Sequence, residues 1–123
     1  SNVIEALTEY RKKSRTLVIA AGDLAHMGPE FGDSAPMDEV ALADLASKDH
    51  ISLATIEKGE PEDFFDASAE ESDARKICGL TPIYLMGKVL DGCRGYSVGY
   101  DQCPADQQNT SVVSIAGTVL FGD

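Results

Sequence analysis

Three side chains carry the chemistry this sequence can offer: Asp23, His26 and Cys78. Asp23 and His26 follow closely on an apolar run, residues 17–21, and on Gly22, which ends it. A short continuous run containing Val18 and Ile19 predicts a strand buried on both faces. In open α/β sheets, ligands sit beyond the carboxyl ends of such strands. There an aspartate can orient a histidine through its ring N–H, or both can face a metal. The plainer reading is that Asp23 caps the next turn and His26 is a partly buried loop histidine. Cys78 lies just ahead of Leu80 and Pro82. Proline fits the first turn of a helix because the N–H it lacks is not needed there. Cys78 then sits before a helix N-terminus, where the dipole favours a thiolate; its plainer reading is a small buried hydrophobe. A carboxylate, an imidazole and a thiolate form a set that iron, copper or zinc accepts. The same three residues also suit nucleophilic catalysis, as a Cys–His dyad with an aspartate to orient it. Spacing alone does not choose between these.

The elements that must position these groups are read from periodicity. Residues 3–13 carry Val3, Ile4, Leu7 and Tyr10 at helical spacing, with Asn2 as a cap and basic residues at the far end. Gly28-Pro29, Gly32-Asp33 and Ser34-Ala35-Pro36 make residues 27–36 a loop, which Phe31 packs down. Residues 37–58 predict one long helix, or two joined near Lys48-Asp49, with His50 on its surface or half buried and not a ligand. Gly59 ends that helix and Pro61 opens a short one through Ala69. Ser72 or Asp73 can cap a further helix that becomes regular near Leu80, is apolar almost all round, and belongs in the core. Residues 96–103 and 110–121 have strand composition and predict an antiparallel pair closing one side of the sheet.

Composition narrows the function classes. A chain of 123 residues suits a single domain, 1–123, with one core. The net charge of −11 leaves no cationic surface to displace phosphate counterions, so nucleic acid is not an expected partner, nor is an anionic membrane. No apolar run approaches the length of a membrane span. Cys78, Cys93 and Cys103 make an odd count without C-x-x-C spacing, which points to a reducing cytoplasm; a Cys93–Cys103 disulfide stays open as an alternative.

Three segments carry more than spacing does. A-G-D-L-A-H-M-G at 21–28, I-C-G-L-T-P-I at 77–83 and T-S-V-V-S-I-A-G at 110–117 resemble the Memo family, known in bacteria as AmmeMemoRadiSam system protein B. They occur in the family's order and tie most of this chain to the C-terminal half of such a protein. The resemblance implies an α/β fold, a three-layer sandwich with a mixed central sheet, similar to half of a class III extradiol dioxygenase. It implies a metal site built from two histidines of an N-terminal half and the cysteine of the I-C-G motif, which matches Cys78. Asp23 and His26 match the D-x-x-H pair beside that pocket and are the catalytic candidates. Iron or copper is the implied cofactor, held only with the N-terminal half present. This chain contains only His26 and His50, and neither falls in a segment matching the N-terminal histidines. Half a site is therefore expected, with the missing N-terminal half as partner. Metal-dependent redox or dioxygenase-like chemistry follows from the resemblance. The alternative is a non-enzymatic module that receives a peptide, small molecule or anionic group in the same pocket, and a third option is a Cys78–His26 hydrolase.

Overall fold

Helix boundaries follow local chemistry. Asp38 caps the longest helix by accepting the N–H of Ala41 at 2.8 Å, which satisfies one of the amides a helix start leaves free. That helix, α2 (Glu39–Glu57), is unbroken through Lys48 and Asp49. Gly59, at φ +74°, turns the chain into α3 (Pro61–Glu70), where Pro61 begins the helix. Two further helices are α1 (Asn2–Lys13) and α4 (Leu80–Val89). The strands are β1 (His26–Met27), β2 (Arg94–Pro104) and β3 (Val112–Phe121). The computed structural model describes residues 2–122.

The sheet order is β1-β3-β2, and both pairings are antiparallel. The expected mixed sheet is thus not present among the described residues. The α/β class holds, with helices packed on one sheet face. Tyr100 and Leu120 face those helices and pack against Leu24, Leu53, Ile56, Phe64 and Ile77. A second cluster of Ala25, Met37, Leu45 and Val112 lies under the β1 end of the sheet. The opposite sheet face, with Tyr96, Ile115, Val119 and Phe121, is exposed. A two-layer arrangement results where three layers were expected.

The largest correction concerns residues 17–21. They form no strand: Leu17 is 83 % exposed and Ile19 76 % exposed. A strand acquires its hydrogen bonds from neighbours, and none of the described strands reaches this segment. A cleft of about 500 Å³ separates it from β3, lined by Val18, Leu24, Leu53, Met86, Thr118 and Leu120 among others. Helix α4 begins at Leu80 as expected, but only Val89 in it is fully buried. Its Leu80, Ile83 and Met86 are half buried and pack against the core cluster, and Ile83 and Met86 also line the cleft. Ser72 and Asp73 do not cap it; both adopt left-handed backbone in the turn before it. All three cysteines are free, so the Cys93–Cys103 alternative is not realised. No described helix is long and apolar enough to cross a membrane.

Candidate metal centre

Asp23, His26 and Cys78 meet. Each offers a ligand atom, and these atoms all lie within 4.8 Å of one another. Two backbone segments, 22–26 and 75–79, are laced together to achieve this. The N–H of His26 donates to the carbonyl of Arg75 at 2.8 Å, and that of Gly79 to the carbonyl of Asp23 at 2.9 Å. The Asp23 N–H points at the Cys78 sulfur at 3.1 Å, and the sulfur lies 3.6 Å from the Asp23 carbonyl oxygen. Two glycines make the approach possible. A Cβ on Gly79 would lie 2.7 Å from the Asp23 carbonyl oxygen, and one on Gly22 would lie 2.7 Å from the Cα of Gly79.

The orientation of His26 does not depend on the Asp23 carboxylate, as the D-x-x-H spacing suggested. Its Nδ1 lies 3.2 Å from the Leu24 carbonyl and 3.1 Å from that of Lys76. Both neighbours are acceptors only, so these contacts assign the proton to Nδ1, and in the neutral ring that leaves the lone pair on Nε2. The ring of Phe31 packs edge-on against His26, with centroids 5.2 Å apart. Asp23 and Cys78 are exposed and His26 is half buried, so the cluster opens to solvent on one side.

The third motif fastens the loop from below. Ser114 accepts the Ala25 N–H on its Oγ at 2.9 Å and donates its own N–H to the Ala25 carbonyl. Ser111 Oγ accepts the N–H of Glu30 at 2.9 Å. Asp33 closes the other side, accepting from Lys76 Nζ at 2.7 Å and from the Gly28 N–H at 2.9 Å. The Lys76 hydrogen bond, followed by that of Gly28, holds the Asp33 carboxyl below its ordinary range. The opening of α4 has few amides left for an anion. Gly79 and Leu80 donate to the carbonyls of Asp23 and Ile77, and Pro82 has no N–H. His50 lies outside the cluster, exposed on α2, with its ring 4.7 Å from that of Tyr100.

A group not singled out from sequence stands behind the site. Asp49 (0 % exposed) and Arg75 (3 % exposed) form a buried ion pair, Oδ1 to Nη1 at 2.9 Å. The polar–apolar pattern of α2 leaves Asp49 among the solvated acids, and no local signal identifies its partner.

Fold and site together define an α/β domain with a three-donor cluster of carboxylate, imidazole and thiolate at a loop-to-helix junction. Residues 1–119 match the family model of the Memo-like proteins, and the chain belongs to that family. No curated protein matches the chain.

Proposed function

We propose that this chain is the Cys78-bearing half of a Memo-like metalloprotein, with iron or copper as its metal and redox or dioxygenase-like chemistry as its activity. The observation that carries the reading is the convergence of Asp23, His26 and Cys78 within 4.8 Å. The donor set fits: a thiolate, an imidazole and a carboxylate together suit iron and copper. Cys78 is the thiolate ligand. His26, with Nδ1 occupied by carbonyls, presents Nε2 either as a second donor or to accept a substrate proton. Asp23 offers its exposed carboxylate beside them. Iron or copper bound here would supply electron transfer that no side chain in the cluster can supply itself.

The partner in this reading is an N-terminal half that brings the two histidines absent from this chain and completes a three-layer α/β sandwich. Three features support it. Among the described residues the apolar segment 17–21 has no strand partner and the edge of β3 beyond Ser114 is unpaired, and the cleft between them is mostly apolar. The outer sheet face with Tyr96, Val119 and Phe121 is the surface a further layer would cover. The competing reading, an anionic ligand at the start of α4, is disfavoured by the amides already used there.

Isothermal titration with anaerobic Fe(II) and with Cu(I) tests the proposal. The chain alone should bind weakly, because transition-metal sites need three or more well-held donors and the resemblance assigns only Cys78 of this cluster to the metal, leaving two ligands to the N-terminal half. The chain together with the N-terminal half of a Memo-like protein should bind stoichiometrically and lose that binding on Cys78→Ala. Tight binding by this chain alone would overturn the need for a second half. Failure of the combined halves to bind would overturn the metal assignment.

A further inference from the structure

The buried pair Asp49–Arg75 does more than join α2 to a turn, and we propose that it is the positioning element of the Asp23–His26–Cys78 cluster. The inference rests on the reading of that cluster as a metal site. Arg75 uses all three nitrogens of its guanidinium: Nη1 donates to Asp49 Oδ1 at 2.9 Å, Nη2 to Ser52 Oγ at 2.8 Å and Nε to Glu71 Oε1 at 2.6 Å. The second Asp49 oxygen accepts the Tyr100 hydroxyl at 2.6 Å, and Gln102 Nε2 donates to that hydroxyl at 3.1 Å. Three parts of the fold therefore converge on one fork: α2 at Asp49 and Ser52, the turn after α3, and β2. Such a pair is a poor device for stability, since well-packed apolar residues of similar volume commonly serve as well or better. What a planar, multiply bonded guanidinium provides is a fixed orientation.

The orientation it fixes is that of the backbone facing His26. The Arg75 carbonyl accepts the His26 N–H at 2.8 Å, and the Lys76 carbonyl lies 3.1 Å from His26 Nδ1. Lys76 is held at φ +48°, a left-handed conformation that a residue with a side chain adopts only when its surroundings impose it. Arg75 on one side and the Lys76–Asp33 ion pair on the other impose it here. Two residues further on, the same backbone places the Cys78 sulfur against the Asp23 N–H. Loosening the fork releases the two carbonyls, and with them the tautomer that leaves Nε2 free. Asp49 and Arg75 touch none of the cluster's ligand atoms, so they are positioning residues.

The test uses the full chain, Asp49→Asn/Arg75→Gln, which removes both charges together, and Tyr100→Phe, which leaves the ion pair and the packing in place. Far-UV circular dichroism establishes folding. Imidazole ¹⁵N NMR at neutral pH reads the His26 tautomer, and Co(II) absorption reads thiolate ligation and affinity. In the native chain His26 should be the Nδ1–H form. In the double variant it should become a mixture of tautomers, and Co(II) affinity should fall about 10–100-fold, the usual effect of losing groups that orient a ligand. Tyr100→Phe should shift both readouts in the same direction and by less. Arg75→Lys should not restore either, because an ammonium cannot make the fork. A variant that keeps the native tautomer and native affinity would overturn the proposal. If the native chain alone takes up too little Co(II) to measure, the His26 tautomer decides the positioning role, and the metal reading is judged separately by the titration of the combined halves. If the double variant does not fold, Tyr100→Phe decides it.

Discussion

Gly79→Ala is the sharpest probe of how the cluster is assembled. Gly79 has φ −78°, so alanine fits its backbone without strain, and any cost must come from contact. The added Cβ would lie 2.7 Å from the Asp23 carbonyl oxygen, 2.9 Å from Ile83 Cδ1 and 3.2 Å from the Gly22 carbonyl carbon. Ile83 can give way, but the two backbone atoms cannot move without separating segments 22–26 and 75–79. A shift of about half an ångström would relieve the contact, and overpacking of this kind costs roughly 1–3 kcal/mol. It would also stretch the Gly79–Asp23 bond of 2.9 Å and the Asp23–Cys78 contact of 3.1 Å. Each weakened hydrogen bond adds about 0.5–1.5 kcal/mol. The expected total is about 2–6 kcal/mol, a large part of the roughly 6–18 kcal/mol a domain of this size has. Urea denaturation followed by circular dichroism measures it. Gly99→Ala is the control, since nothing lies within 4 Å of its added Cβ. If Gly79→Ala lies within about 0.5 kcal/mol of the native chain, the tight approach of loop and helix is not what holds the cluster together.

Two further predictions concern pH. Burial and then the hydrogen bond to Asp49 raise the Tyr100 hydroxyl above its ordinary value, so the folded state keeps a proton that the unfolded chain loses. That contribution is fully present below about pH 10 and declines as the pH rises further; alkaline denaturation followed by circular dichroism should show a shallower limb for Tyr100→Phe. The lowered Asp33 carboxyl works at the other end: its contribution is present above about pH 4 and is lost as the pH falls through its lower folded value. Exchange of the Gly28 amide should accelerate across that acid range in the native chain. Lys76→Met should move the acceleration to higher pH, and an unchanged profile would show that Lys76 does not hold Asp33.

What could be read from the sequence was whatever local pattern decides. The extents of α1 and α2, the start of α3 at Pro61, the start of α4 at Leu80 and the β2–β3 hairpin follow from periodicity, caps and the residues that break both. Asp23, His26 and Cys78 could be singled out because glycine, proline and short motifs mark the loops that carry them, and the family could be recognised from the same segments. Their approach to within 4.8 Å is a different matter. It requires Gly22 and Gly79 to touch across a long stretch of chain, and it requires carbonyls, not the Asp23 carboxylate, to hold the His26 ring. Nor does any local signal join Asp49 to Arg75 or Tyr100, because a buried charge looks like a solvated one until the fold removes the water. Residues 17–21 mark the boundary most clearly. Their composition specifies a strand, but a strand exists only with a neighbour to complete its hydrogen bonds. Among the described residues the tertiary structure brings none, so an apolar run with every local mark of a core strand lies exposed beside an open cleft.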